Sequence, residues 1–222
     1  MTFSLVGRCA RTGMLGAAVT TSALAVGSRC PYARAGVGAA LTQNRTDPRL
    51  GPLALELLSH GHDAEHALAA VVAATPHRGW RQLAVIDREG RTAAFTGEFV
   101  RAERGEGHGR DCVAIANIVR SATVPDAMVQ AFEAEPDSSL AGRLVRALQA
   151  GESAGGEHKP VVSAALLVVH EAPFPFVDLR VDRHANPIAE LASLWDAYWP
   201  EAEAYVTRAL DPDAATPPSD VR

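Results

Sequence analysis

Apolar and polar residues alternate from Thr2 to Val6, which puts Thr2, Ser4 and Val6 on one face of an extended segment and Phe3 and Leu5 on the other. Gly13 in "RTGM" supplies a turn and "LGAAVTTS" resumes the strand pattern, so residues 2–22 read as a β-hairpin. The run "ARAGVGAALTQ" predicts a strand whose small residues admit a second backbone or a ligand at close range. Two helices follow, one from Pro52 to Ser59 stopped by Gly61, the other capped by Asp63 and ending before Pro76. "LAVID" and "TAAFTG" form a hairpin through Glu89-Gly90, and "CVAIANIV" is a further strand. "PDAMVQAFEAE" and "SSLAGRLVRALQAGESAGG" predict helices, and "SAALLVVH" and "FVDLRVD" predict strands. "NPIAELASLWDAYWPEAEAYVTRAL" reads as one long helical stretch kinked or broken at Pro200. Strands come in consecutive hairpins, which predicts an α+β fold with antiparallel sheets and helices layered outside them.

The 222 residues are 47% hydrophobic, enough for a sizeable core in one domain over residues 1–209. The polar, proline-rich tail, 210–222, is expected to be disordered. A net charge of -5 without a basic cluster argues against a nucleic-acid groove or a polybasic membrane anchor. No apolar run reaches the roughly 18–20 residues of a membrane-spanning helix, and the first residues lack the pattern of a secretory signal. Cys9, Cys30 and Cys112 show no CxxC spacing and read as reduced, buried thiols of a cytoplasmic protein. The segment around Trp195 and Trp199 reads as a last helix packed on the core in preference to a dimer face, with a homo-oligomer the second reading.

Composition and spacing argue against several chemistries. "GVGAAL" leads into no helix and carries no Gly-Lys-Ser/Thr, so no phosphate loop is predicted. No GxSxG elbow is present. His62 and His66 could share a helix face with His60 just before them, but a solvated helix entry is favoured over a metal site. Arg81 and Gln82 open a strand, as a polar strand-edge pair or as ligand contacts. Thr2 is the sharper candidate. With Met1 removed, its hydroxyl would be a nucleophile and its α-amine, with a pKa of roughly 8, the base. A threonine opening a hairpin is held on a rigid element that can aim it into a cleft.

The blocks "TFSLVGRCARTGMLGAAVTTS", "AVGSRCPYARAGVGAALTQ", "GPLALELL", "RQLAVID" with "TAAFTG", "SAALLVV" and "VDLRVD" run in order from Thr2 to about Leu194 and resemble the DUF1028 family. That resemblance implies a four-layer αββα sandwich of the N-terminal nucleophile hydrolase superfamily, whose members include amidases and proteasome subunits. It maps Thr2 to the usual family start, Arg34, Thr42 and Gln43 to family positions, and Asn117 to a family asparagine. Asn117 would then donate to an oxyanion, and Arg34 or Gln43 would hold a substrate carboxylate or carbonyl. Departures are Ile115 and Ala116 before Asn117, Asp47 opening "DPRLGP", and Glu157, Lys159 and Pro160 in "EHKPVVS".

Two functional readings follow. In one the protein is an amidohydrolase acting on a small or peptide-like amide, with Thr2 as nucleophile, Ser4 orienting the amine and Asn117 at the oxyanion. Arg34, Thr42, Gln43, Arg81 and Lys159 contact substrate, and no metal or organic cofactor is required. In the other the same fold binds a metabolite or a protein without catalysis. Lys159 is the only lysine in the chain, so a lysine partner for Thr2 would have to come from that loop.

Overall fold

In the computed structural model, which describes residues 1–215, the first alternating segment forms β1 (Thr2–Arg8) and turns through Gly13, at φ 74°, into β2 (Leu15–Thr21). β3 (Pro31–Arg34) and β4 (Gly38–Asn44) make a second hairpin. The sequence reading makes this one strand; the break is Gly36, whose φ of 67° is cheap only for glycine. α1 (Leu50–Ser59) and α2 (Ala64–Ala74) come next, and the Asp63 carboxylate caps α2 by accepting from the His66 backbone N–H at 2.9 Å. β5 (Arg81–Asp87) and β6 (Thr92–Thr96) are the expected hairpin.

β7 (Arg104–Gly109) pairs with β8 (Cys112–Asn117) and is absent from the sequence reading. Its sequence, RGEGHG, has no hydrophobic alternation. Glycine is needed there for packing: a Cβ on Gly107 would lie 2.7 Å from the Pro125 carbonyl carbon. α3 (Val124–Glu133), α4 (Leu140–Ser153), β9 (Ser163–Val169) and β10 (Pro175–Val181) follow. The last helical stretch is two helices, α5 (Pro187–Tyr198) and α6 (Ala202–Leu210), joined by a 3₁₀ turn over Trp199–Glu201, because Pro200 has no N–H to continue the ladder. Of the tail expected to be disordered, residues 211–215 include a short turn and 216–222 lie outside the described residues.

Six strands in the order β10-β9-β2-β1-β8-β7 face four in the order β3-β4-β5-β6, and every pairing is antiparallel. Alternation then sorts side chains into three apolar layers. Phe3, Leu5, Phe132, Leu148, Leu166 and Trp195 fill the space between the larger sheet and its helices. Ala40, Leu55, Leu68, Val71 and Val85 do the same beneath α1 and α2. Between the sheets lie Val6, Val19, Leu41, Ile86, Val113 and Ile115. The chain is therefore an α+β, four-layer αββα sandwich, as expected. All three cysteines are buried and free, Trp195 is in the core, and Trp199 is half-exposed against it. Among the described residues no helix is long and apolar enough to cross a membrane.

Two substitutions test this packing in urea unfolding. Leu148→Ala, at a fully buried position, should cost about 2–5 kcal/mol. Gly38→Ala should cost about 1–3 kcal/mol, since backbone must yield; its Cβ would lie 2.4 Å from the Ile86 carbonyl oxygen. Leu53→Ala, at a position 37% exposed, should stay within about 0.5 kcal/mol of the parent.

Candidate functional site

The layer between the sheets is apolar in its middle and polar at one end. On the larger sheet, Val6, Val19, Val113 and Ile115 point inward, and following the same alternation to the strand ends brings Thr2, Thr21 and Asn117 to that face. Thr2 lies directly opposite Asn117 in the β1–β8 register, and Thr21 lies directly opposite Ser163 in the β2–β9 register. Facing them, Gln43, Gln82 and Thr96 form a matching row across β4, β5 and β6. Directly opposed pairs of this kind have Cβ atoms about 4.5–5.5 Å apart.

Buried in a layer without room for bulk water, these groups must bond to one another. Ser4 Oγ donates to Gln43 Oε1 at 2.7 Å. Gln43 Nε2 and Asn117 Nδ2 both donate to Gln82 Oε1, at 2.7 and 2.9 Å. Gln82 Nε2 donates to Thr96 Oγ1 and to the Ala116 carbonyl, and Thr96 Oγ1 donates to Glu106 Oε1 at 2.6 Å. One acceptor is left over: Asn117 Oδ1 is buried and has no partner among the described residues. Asn117 Nδ2 carries a second N–H besides the one given to Gln82.

At the mouth of this network Thr2 Oγ1 donates to the Met1 carbonyl, which also accepts from Thr21 Oγ1 at 2.6 Å, and the two hydroxyl oxygens are 3.4 Å apart. Glu157 is buried beside them and accepts from the Ser22 N–H through both carboxylate oxygens, at 3.2 and 3.0 Å. Burial lifts the Glu157 carboxyl above its ordinary range, opposed by the Ser22 bond and the charge of the α-amine. Burial likewise lowers the α-amine of Met1, opposed by Glu157 and by Cys30.

The sequence candidates divide. Thr2, Ser4, Gln43 and Asn117 come together at the polar end of the inner layer. Thr42 and Arg81 fall on the outer face of the same sheet: the Thr42 hydroxyl donates to the Asp47 carbonyl, and Arg81 bonds the Arg45 carbonyl and lies 3.5 Å from the Asp47 carboxylate. Arg34 sits at the other end of the sheet, paired in register with Gly38, and makes an exposed 3.5 Å ion pair with Glu56. Lys159 is exposed in the loop after Glu157. The sequence reading gave no site role to Thr21, Thr96, Glu106 or Glu157, and left Gln82 open. A signal for Thr21 and Gln82 was present, since each is the polar residue that ends an inward-facing apolar series. Among the described residues no group of three or more histidine, cysteine and carboxylate side chains is placed to hold a metal ion, and His66 pairs with Asp63 at 2.8 Å.

The DUF1028 model, described as a family of unknown function, matches residues 2–191. The chain belongs to the DUF1028 family. A DUF1028 protein from Silicibacter pomeroyi, known from its crystal structure, is 33% identical and superposes with a TM-score of 0.83 over 89% of this chain and 85% of its own. Anbu, an ancestral β-subunit, from Yersinia bercovieri is 10% identical with a TM-score of 0.43, over 91% of this chain and 96% of its own. A Gly-1 mutant of Anbu from Hyphomicrobium sp. strain MC1 is 13% identical with a TM-score of 0.41, over 92% and 97%. No curated protein matches the chain.

The Asp47 cluster gives a pH prediction. Arg49 binds the Asp47 carboxylate at 2.8 and 2.9 Å and, with Arg81, holds its pKa down to about 2. A depressed carboxylate stabilises the fold above its unfolded pKa, and that contribution disappears as pH falls through about 2. Asp47→Asn should therefore lose about 1 kcal/mol near neutral pH, a figure reduced for the solvent-exposed Arg49. The gap to the parent should close between pH 4 and pH 2, as read by urea midpoints.

Proposed function

We propose that this DUF1028 member is an N-terminal nucleophile amidohydrolase that cleaves an amide in a small or peptide-like substrate. The observation that carries the reading is the placement of Thr2. It opens the first strand at the polar end of the inner layer, with the Thr21 hydroxyl 3.4 Å from its own and Asn117 directly opposite.

The chemistry requires removal of Met1. Thr2 Oγ then attacks the substrate carbonyl carbon while the Thr2 α-amine takes the hydroxyl proton. The oxygen of the tetrahedral adduct accepts from the second Asn117 N–H and from backbone N–H groups. Collapse breaks the C–N bond, the leaving amine takes the proton held by the α-ammonium, and an ester remains on Thr2. Water hydrolyses that ester with the amine again as base. Ser4 acts indirectly, by fixing Gln43 Oε1 and so turning the Gln43 amide toward Gln82. Gln43 is the substrate contact best supported by position; Thr42 and Arg81 support its strand from behind, Lys159 is exposed in the loop after Glu157, and Arg34 is a full strand length away. Thr21 and Glu157 are added to the expected set, as the groups next to the chain start.

Intact mass and N-terminal sequencing of the purified protein, followed by turnover of an amide panel, test the reading. The expected result is Thr2 as first residue, hydrolysis by the parent, and a loss of at least about a thousandfold in kcat/KM for Thr2→Ala. Asn117→Ala should cost about 10²–10³ in kcat. A retained Met1, with metabolite binding and no turnover, would replace this reading by that of a non-catalytic binding protein.

A further inference from the structure

Arg143, on α4, is 5% exposed, and its guanidinium is only partly used. Nε donates to the Phe132 carbonyl at 2.9 Å, and the Phe132 ring covers one face with Cζ 3.9 Å from its centroid. Among the described residues the two terminal nitrogens make no hydrogen bond and no carboxylate lies within 4.0 Å of them. A buried charge is ordinarily paired, because desolvating it alone is costly. Desolvation does pull the Arg143 pKa down.

What these nitrogens face is a cleft of about 560 Å³, also lined by Arg8, Arg11 and Arg110. It lies at the Arg8 end of β1, the opposite end from Thr2. Arg8 gives Nη1 to Asp111 at 2.9 Å, and its Nε is buried without a partner among the described residues. Among the described residues Arg11 reaches only a backbone carbonyl, that of Asp137, at 3.4 Å. Of the acids on the lining, Asp111 is taken by Arg8, Glu133 accepts from the Arg110 backbone N–H at 2.5 Å, and Asp137 is exposed. Nearby Cys112 is neutral, its thiol pushed up to about 12 chiefly by burial.

We infer that this cleft binds a small oxyanion, the carboxylate or phosphoryl group of a metabolite, with the Nη1–Nη2 edge of Arg143 as its fixed fork. The geometry of the fork supports this: with Nε and one face occupied, the edge that remains presents two parallel N–H donors, which match two oxygens of one anion. Arg8, Arg11 and Arg110 share the lining with Asp111, Glu133 and Asp137, so the cleft, Arg143 included, keeps one formal net positive charge, and the buried guanidinium edge left unpaired in it among the described residues is that of Arg143. The site is independent of the Thr2 chemistry. The competing source of counter-charge is a Cys9 thiolate; burial raises that thiol, but hydrogen bonds from Thr12 and Arg11 bring it below its ordinary value.

Isothermal titration of the full chain with inorganic phosphate and, separately, with acetate tests the inference, with sodium chloride holding ionic strength constant. Saturable binding of at least one anion is expected, and the one that binds identifies the headgroup. Arg143→Met should abolish it. Because that variant removes a buried contact, the exposed pair Arg11→Ala/Arg110→Ala is the second probe and should weaken binding about tenfold with an unchanged urea midpoint. The inference is overturned if neither anion saturates the parent, as a Cys9 counter-charge requires, or if the double variant binds as the parent does.

Discussion

Face-to-face packing of two sheets forces every second residue of the inner strands into one narrow layer, and the rest of the structure depends on meeting that constraint. Slipping β1 by one residue would exchange Thr2, Ser4 and Val6 for Phe3 and Leu5 and overfill the space. The layer is kept thin by small side chains, Ala17, Ala39, Ala84 and Ala165 among them, and the bulky ones, Phe3, Phe132 and Met128, go to the helix-covered outer face. A thin layer has no room to solvate a polar group in place. Its polar end is consequently a closed web of side-chain amides and hydroxyls, in which each group's orientation follows from its neighbour's.

Much of this was legible in the sequence because alternation is a one-dimensional signal. The β1–β2 and β5–β6 hairpins, the Asp63 cap and the strand at Cys112 follow from period and turn residues alone. β7 was not legible, since a strand of glycines and charges is defined by what packs on it, here the start of α3. The β3–β4 turn was hidden because alanine and glycine carry too little contrast to mark where a strand reverses. For the site, the register that sets Thr2 against Asn117 is a pairing between residues far apart in the chain, and no local pattern encodes it. Neighbouring residues in the sequence also part company in space. Thr42 and Gln43 are adjacent in the chain and point to opposite faces of β4, so one contacts the Asp47 loop and the other the amide web.

β1 therefore joins two different environments. Its first residue borders uncharged amides and hydroxyls with one buried carboxylate near by, and its last is an arginine paired with Asp111 in a cleft of mixed arginines and acids. The strand between them is buried along its whole inner face and paired on both sides, which makes it a stiff spacer of about 20 Å. Electrostatic influence across that distance is weak at physiological salt, where screening acts over about 8 Å. The two ends can consequently evolve or be altered separately.

Lys159 stands out for a reason unrelated to catalysis. The chain has 21 basic residues counted as lysine and arginine, and only this one is a lysine. It is exposed, two positions beyond the buried Glu157 that neighbours the chain start. Among the side chains of this sequence an amine-selective acylating reagent therefore meets a single aliphatic amine, and it is solvated. A fluorophore or spin label can thus be set two positions from Glu157 without replacing any other side chain.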